Sequence, residues 1–169
     1  ELNDVFLPYK KNKYFKNFKF KKLDINNNLD LILKLVHREK FSYIVNFASQ
    51  SMVAQSWEKP IDWYNTNVLG TINFLEKIKK LRFLKKYVHV STPEVYGSTT
   101  RNLKESRKYF PSTPYAISRA ACDMHLHSLY KNYNFPVIFT RAANVYGPGQ
   151  QLFRIIPKAF MCSRKKIRL

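Results

Sequence analysis

The sequence predicts an α/β protein in which helices cover a doubly wound parallel sheet. Four short, largely β-branched or alternating stretches, at residues 18–25, 43–47, 87–92 and 136–141, are typical of strands. Longer stretches with an apolar period of three to four residues lie between them and are typical of helices. A strand, helix, strand succession of this length favours right-handed parallel crossovers. We therefore expect one partial domain over residues 1–169.

The first half of the chain predicts a loop followed by two strand and helix pairs. Residues 1–17 are polar and basic with no hydrophobic period, which indicates a loop. Residues 18–25 alternate between apolar and basic side chains and predict a strand. Apolar side chains at helical spacing predict a helix over residues 28–40. The apolar strand 43–47 follows, and residues 60–81 predict a long helix that packs on the sheet.

The second half repeats the pattern. Residues 87–92 predict a buried strand, and the polar loop 98–111 connects it to a helix over residues 113–133. The apolar stretch 136–141 predicts a further parallel strand, and a helix begins near Ile155. The sequence thus places polar residues directly after the ends of its predicted strands, where ligands of parallel sheets bind.

One part of the chain combines a hydroxyl, a carboxylate, a phenol and a guanidinium. Thr92 and Glu94 lie at the end of a predicted strand. Tyr115 and Arg119 are four residues apart in a helix that begins after Thr113, so they share a face of that helix. A cation one turn from a phenol favours the phenolate, and this arrangement would allow Tyr115 to exchange a proton near neutral pH.

Five motifs recur along residues 24–158: NFASQS at 46–51, TNVLGT at 66–71, HVSTPEVYG at 89–97, PYAISR at 114–119 and RAANVYGPGQ at 141–150. Their order and approximate spacing resemble the extended short-chain dehydrogenases/reductases, in the NAD-dependent epimerase/dehydratase family, with the dTDP-glucose 4,6-dehydratases as the nearest group. The resemblance implies a Rossmann-like sheet, NAD as cofactor, a nucleotide-sugar substrate and a homodimer formed by helix pairs.

The resemblance also implies roles for single residues in a 4,6-dehydratase reaction. Tyr115, aided by Thr92, would take the proton of the sugar 4-hydroxyl, and Glu94 would take the proton at C5. For Asp24 two roles stay open: the cofactor contact that the resemblance implies, and a cap for the helix that follows it. The implied catalytic residues are Thr92, Glu94, Tyr115 and Arg119. The implied cofactor contacts are Asp24, Ile25, Phe47, Ala48, Ser49, Asn67, Tyr115 and Arg119, and the implied substrate contacts are Ser51, Thr92 and Asn144.

The chain departs from the family pattern at three places. Pro93 stands where the dehydratases have an aspartic acid, and Arg119 stands where the family has a lysine. The glycine-rich phosphate turn that follows the first strand of the family does not occur, so we expect a fragment of a longer protein. These departures keep open an epimerase, a UDP-glucuronate decarboxylase-like enzyme or a non-catalytic relative.

Composition restricts the other classes of function. The 30 lysines and arginines outnumber the 11 acidic residues and give a net charge of +19, which is compatible with a basic nucleic-acid-binding module. The basic residues are spread over the chain without a nucleic-acid-binding motif, so a solvated basic surface is the favoured interpretation. The 2 cysteines and 4 histidines lack metal-ligand spacing. Because no long apolar run occurs, we expect a cytoplasmic protein without membrane contact.

Overall fold

A computed structural model describes residues 7–100, 102–143 and 145–168. The chain divides into two compact units. The larger unit is Leu23–Ala143, and the smaller one combines Glu1–Lys22 with Asn144–Leu169. All the predicted site residues except Asn144 lie in the larger unit. Asn144, predicted to contact substrate, lies outside the described residues.

Three parallel strands form the sheet of the larger unit, in the order β1 (Tyr43–Asn46), β2 (Lys86–Val90) and β3 (Val137–Thr140). The register pairs Asn46 with His89, and His89 with Phe139. All three strands therefore end at the same edge of the sheet. The parallel α/β fold predicted from the sequence is confirmed.

Helices connect these strands and cover the sheet. In the larger unit they are α1 (Leu29–Glu39), α2 (Gln55–Glu58), α3 (Pro60–Trp63), a π-helix (Tyr64–Gly70), α4 (Thr71–Ile78) and α5 (Pro114–Tyr133), with a 3-10 helix at Pro93–Tyr96. The single helix predicted over residues 60–81 is thus divided by a π-helical segment. No helix of the described residues is long and apolar enough to cross a membrane.

The hydrophobic core lies between β2 and the helices α1, α4 and α5. Leu75 and Ile78 of α4, Tyr87 of β2 and Leu126 of α5 have no exposed surface. Full burial of an apolar side chain of this size contributes roughly 1.5–3 kcal/mol. This packing fixes α5 against β2, and the bond from Arg119 to the Val90 carbonyl holds the second turn of α5 at the carboxyl end of that strand, where the candidate site lies.

The strand predicted over residues 18–25 does not form, so that prediction was wrong. Residues 18–24 carry no strand, and residues 25–27 form a turn. A strand needs a neighbour for its backbone hydrogen bonds. In the strand order 3-2-1-4-5-6 of a dinucleotide-binding sheet, residues 18–25 would be the third strand and β1 the fourth, with two other strands between them. The described residues contain neither of those two strands. An alternating pattern therefore predicted which face could be buried but not whether a pairing partner existed.

The smaller unit contains short 3-10 helices at Pro8–Lys11 and Phe15–Asn17, and α6 at Ile155–Lys165. The first two fall within the stretch predicted as a loop. The rings of Tyr9 and Phe15 both contact Phe18, with centroids 4.9 and 6.2 Å away. Aromatic contacts thus order this basic segment without regular strand structure.

Candidate functional site

The carboxyl end of β2 presents two buried hydroxyl groups. Ser91 and Thr92 follow the strand and are 7% and 6% exposed. Thr92 caps the next 3-10 helix, since its Oγ1 accepts from the amide of Glu94 at 3.3 Å. In this bond Thr92 Oγ1 is the acceptor, so its hydroxyl hydrogen can still be donated to a ligand. The Glu94 side chain is half-buried, and burial raises the pKa of this carboxyl, which favours proton exchange closer to neutral pH.

Tyr115 lies in the first turn of α5, and its backbone is held from two sides. Thr113 caps the helix that the sequence predicts to begin after it, with its Oγ1 accepting from the Ala116 amide at 3.1 Å. The Tyr115 amide donates to Ser56 Oγ at 3.2 Å, and Ser118 Oγ donates to the Tyr115 carbonyl at 2.7 Å. The Tyr115 side chain itself is half-buried and therefore reachable from solvent. Its cooperation with Thr92 stays a prediction, because no hydrogen bond joins the two side chains among the described residues.

Asn67 connects the loop after β1 to α5. Its side chain has no exposed surface and uses both of its ends. The Oδ1 accepts from the Gln50 amide at 2.7 Å, while Nδ2 donates to the Gln50 carbonyl at 3.0 Å and to Ser118 Oγ at 2.9 Å. Ser118 in turn holds Tyr115. Asn67 thus connects the loop after β1 to the turn that bears Tyr115. Its contact with the cofactor stays a prediction.

The π-helix provides a second connection at the same residue. A π-turn inside an α-helical stretch shifts backbone groups out of register and often occurs at functional sites. Here the Asn67 carbonyl accepts from the thiol of Cys122 on α5 at 2.7 Å. Burial, the main cause, raises the pKa of Cys122 to about 12. The thiol is therefore a hydrogen-bond donor of the interior and not a nucleophile.

Arg119 points into the protein interior. Its side chain is 2% exposed, and its Nη2 donates to the Val90 carbonyl and faces His89 Nε2 at 3.3 Å. Tyr115 and Arg119 share a helix face, but no hydrogen bond or cation–π contact joins their side chains among the residues that the structure describes. The predicted assistance of the phenol by this guanidinium is therefore unsupported by a direct contact.

A buried charge cluster surrounds Arg119, and sequence reasoning missed it. Asp123, with no exposed surface, accepts from Ser91 Oγ at 2.9 Å and from Arg141 Nη2 at 2.7 Å through the same oxygen, Oδ2. Burial raises the pKa of Asp123, while Arg141 and Ser91 oppose that increase. His89 completes the cluster, and burial together with Arg119 and Arg141 lowers its pKa to about 3. Asp123 follows Arg119 by four residues on α5, and that spacing was the available signal.

The loop after β1 leaves several predicted cofactor contacts accessible. Phe47 is 72% exposed, Ala48 is exposed and Ser49 is half-buried. Asn46 shapes this loop, since its Oδ1 accepts from the Ala48 amide and its Nδ2 donates to the Tyr87 hydroxyl, both at 2.9 Å. Ser51, a predicted substrate contact, is also exposed.

A polar cavity of about 450 Å³ adjoins the turn that follows Asp24. The Asp24 Oδ1 accepts from the amides of Asn26 and Asn27 at 2.9 Å, so this carboxylate stabilises the turn before α1. The half-buried Ile25 lines the cavity together with Gln50. Gly70 permits the close approach of the turn, because a Cβ there would overlap Asn26 Oδ1. The remaining polar lining includes Asn65, Thr66 and Asn73.

Comparison with known proteins adds a family to this geometry. The family model described as GDP-mannose 4,6 dehydratase matches residues 6–167. The dTDP-D-glucose 4,6-dehydratase of Dictyostelium discoideum is 36% identical in an alignment of 154 positions that covers 84% of this chain and 35% of that protein.

Solved structures give the same result. The dTDP-glucose 4,6-dehydratase from Bacillus anthracis in complex with NAD is 35% identical, with a TM-score of 0.77 over 93% of this chain and 48% of that chain. The UDP-glucuronic acid 4-epimerase from Bacillus cereus in complex with UDP-glucuronic acid and NAD is 26% identical, with a TM-score of 0.82 over 97% of this chain and 50% of that chain.

The chain spans less than half the length of the curated relatives it matches. The match nevertheless includes nearly all of its own residues, and it agrees with the parallel sheet and with the five motifs. The family resemblance and the Rossmann-like fold expected from the sequence are confirmed. The chain belongs to the GDP-mannose 4,6-dehydratase family, within the extended short-chain dehydrogenases/reductases.

Proposed function

We propose that the protein containing this chain is an NAD-dependent nucleotide-sugar 4,6-dehydratase. The observation that carries the proposal is the bond from Arg119, one turn after Tyr115 on α5, to the Val90 carbonyl, which brings the helix that bears Tyr115 to the strand end followed by Thr92 and Glu94. Similarity to dTDP-glucose 4,6-dehydratases over 84% of the chain supports the same reaction type. The enzyme would be a lyase that removes water from the sugar.

The described residues fit the adenosine half of NAD. The cavity beside Ile25 has about 450 Å³, within the range of ligand pockets, and amide side chains line it. Adenine and ribose offer donors and acceptors that such side chains can match. The proposed residues of the cofactor site are Asp24, Ile25, Phe47, Ala48, Ser49, Asn67 and Tyr115, and those of the substrate site are Ser51, Thr92 and Asn144. When bound, NAD supplies the acceptor and later the donor of the hydride.

The residues of the chain would handle the protons of the reaction. Tyr115 takes the proton of the sugar 4-hydroxyl, and Thr92 donates a hydrogen bond to the same oxygen. Glu94 then takes the proton at C5, next to the carbonyl formed at C4, and the 6-hydroxyl leaves as water. Pro93 has no acidic hydrogen to give to that leaving group. Glu94, whose pKa is raised by burial, is the carboxyl group of this segment that can transfer a proton.

A second candidate is a nucleotide-sugar epimerase, which shares the oxidation at C4 but not the loss of water. Pro93 at the place of the family aspartic acid favours it, and so does the structural similarity to the UDP-glucuronic acid 4-epimerase. A decarboxylase would instead lose carbon dioxide from a uronic acid. All three would use Tyr115 in the first step.

Mass spectrometry of the product separates these reactions. The full-length protein is incubated with NAD and dTDP-glucose, UDP-glucose, GDP-mannose or UDP-glucuronic acid. Loss of one water supports the dehydratase, an unchanged mass with altered configuration supports the epimerase, and loss of carbon dioxide supports the decarboxylase. No conversion of any substrate would favour a non-catalytic relative. A Glu94→Gln variant should slow the loss of water, because the amide cannot take the C5 proton.

A homodimer through helix pairs is proposed as well. Exposed apolar side chains lie along the helices that follow β1 and β2, and they include Ile61, Leu69, Ile117 and Met124. Burial of such a stripe against a second copy would remove apolar surface from water. Sedimentation of the full-length protein tests the dimer, and cell fractionation tests the expected cytoplasmic location.

A further inference from the structure

We propose that Arg119 is a structural clamp of the interior and not a ligand of the cofactor. Its position in the sequence is that of the family lysine, so the resemblance implies a cofactor contact. Its position in space is different, because the guanidinium joins α5 to the end of β2 from inside the protein. The inference rests on the proposed function only in so far as it concerns NAD.

The hydrogen bonds of Arg119 are made with protein atoms. Nη2 donates to the carbonyl of Val90, the last residue of β2, and it lies 3.3 Å from His89 Nε2. A bond from a charged donor to a backbone acceptor is stronger than a neutral one. Movement of the guanidinium towards a ligand would break its bond to the partly buried Val90 carbonyl and leave the buried His89 Nε2 without a donor, and both losses are unfavourable.

His89 is a neutral acceptor, which makes it a suitable partner for a cation. Its pKa is lowered to about 3 by burial and by Arg119 and Arg141, so the ring is uncharged at neutral pH. Acceptance from Arg119 places the ring hydrogen on Nδ1. Asp123 Oδ1 is 3.6 Å from the same Nε2, too far for a hydrogen bond, and two lone pairs would face each other there.

The charges of the cluster also hold Arg119 inside. Asp123 is a fully buried carboxylate, and Arg119 and Arg141 both lower the cost of its ionised form. A buried charge is tolerated when it is paired and hydrogen-bonded, and removal of one partner leaves the others uncompensated. Arg119 therefore has an electrostatic reason to remain within the cluster.

The solvent accessibility of the Arg119 nitrogens determines whether a cofactor could contact them. The other terminal nitrogen of Arg119, Nη1, is closed off from solvent and has no hydrogen-bond partner in the part of the chain that the structure describes. A ribose hydroxyl is no smaller than a water molecule, so it cannot reach an atom that water cannot reach. Neither terminal nitrogen is therefore available to a nucleotide bound at the sheet edge.

Paired measurements of stability and NAD affinity on the full-length protein test the clamp. Arg119→Met removes the charge, and Arg119→Lys keeps it on a shorter reach. Arg38→Met is the matched control, because that side chain is 68% exposed. The clamp predicts that Arg119→Met lowers the melting temperature by about 5 °C or more and that Arg38→Met leaves it unchanged. It also predicts that the NAD dissociation constant of Arg119→Lys stays within about threefold of the wild-type value.

The outcomes separate the two roles. A charged ligand of the ribose would lose about tenfold or more in NAD affinity on Arg119→Met, without loss of stability. An unchanged melting temperature for Arg119→Met overturns the clamp, and so does a tenfold weaker affinity in either folded variant measured well below its melting temperature. If Arg119→Met fails to fold while Arg38→Met folds, the clamp is supported, and Arg119→Lys supplies the affinity. If wild type does not bind NAD, the proposed function fails, while the melting temperatures still decide the clamp.

Discussion

The buried imidazole of His89 makes the stability of this fold depend on pH. His89 has no exposed surface and lies among Arg119, Asp123 and Arg141, with its ring against Tyr87 and Phe139. Burial, with the two guanidinium groups, lowers its pKa from 6.5 to about 3. The native state therefore keeps this ring neutral over a range of pH in which the unfolded chain protonates it.

The sign of the effect follows from proton binding in the two states. Between pH 6.5 and about 3 the unfolded state binds one more proton at His89 than the native state does, so stability falls as the pH falls through this window. At pH 5 the loss relative to pH 8 is about 2 kcal/mol, since one pH unit below the unfolded pKa corresponds to about 1.4 kcal/mol. A His89→Gln variant should lack this part of the pH dependence.

Urea unfolding at pH 8, 7, 6 and 5, followed by circular dichroism, measures the difference. Other groups with shifted pKa values, including Glu94, Asp123, His125 and His127, remain in both proteins, so the difference between the two pH curves isolates His89. Wild type should lose about 2 kcal/mol more than His89→Gln between pH 8 and pH 5. Parallel curves for the two proteins would refute the assignment of a neutral, buried imidazole.

Three further predictions concern other residues of the site region. Asn67→Ala should lower the free energy of unfolding by about 2–4 kcal/mol, because it removes a fully buried amide that makes three hydrogen bonds, two with the Gln50 backbone and one with the buried Ser118. Urea unfolding, compared with Asn73→Ala, measures the loss. Gly97→Ala should destabilise by about 1–3 kcal/mol and speed proteolysis of the loop after β2, since Gly97 has a φ of 75° and a Cβ would overlap the Phe110 carbonyl. Cys122, in a Cys162→Ser background, should resist iodoacetamide at pH 8 in the native protein, because burial raises its pKa to about 12.

Each of these has a contrary outcome. Equal losses for Asn67→Ala and Asn73→Ala would mean that the Asn67 bonds add nothing to stability. A Gly97→Ala protein with wild-type stability would show that the loop tolerates another conformation. Native labelling of Cys122 as fast as in urea would show that this thiol is not enclosed.

The sequence predicted three strands and the start of α5 correctly. The strands near residues 43–47, 87–92 and 136–141 formed because β-branched stretches found parallel neighbours within the same chain. The start of α5 was predictable because the Thr113 cap acts over one turn, between atoms of neighbouring residues. Local chemistry was sufficient for the start of α5, whereas the strands also needed partner strands, which this chain contains.

The sequence could not determine features that depend on distant partners. The strand predicted over residues 18–25 failed for lack of neighbouring strands. Arg119 was placed beside Tyr115 by helical spacing, yet its long side chain reaches inward to Val90 and His89. Spacing on a helix fixes the direction of Cβ, whereas the end of a long side chain is fixed by the tertiary partners it meets.

Turnover by a Tyr115→Phe variant of the full-length protein tests whether the Tyr115 phenol takes the proton of the sugar 4-hydroxyl. Tyr64→Phe is the matched control, since Tyr64 is also half-buried and has no proposed part in the reaction. With the nucleotide sugar that wild type converts, Tyr115→Phe should turn over about 10²–10⁴-fold more slowly at unchanged stability, and Tyr64→Phe at nearly the wild-type rate. Wild-type turnover by Tyr115→Phe would show that the phenol is not the base of this reaction.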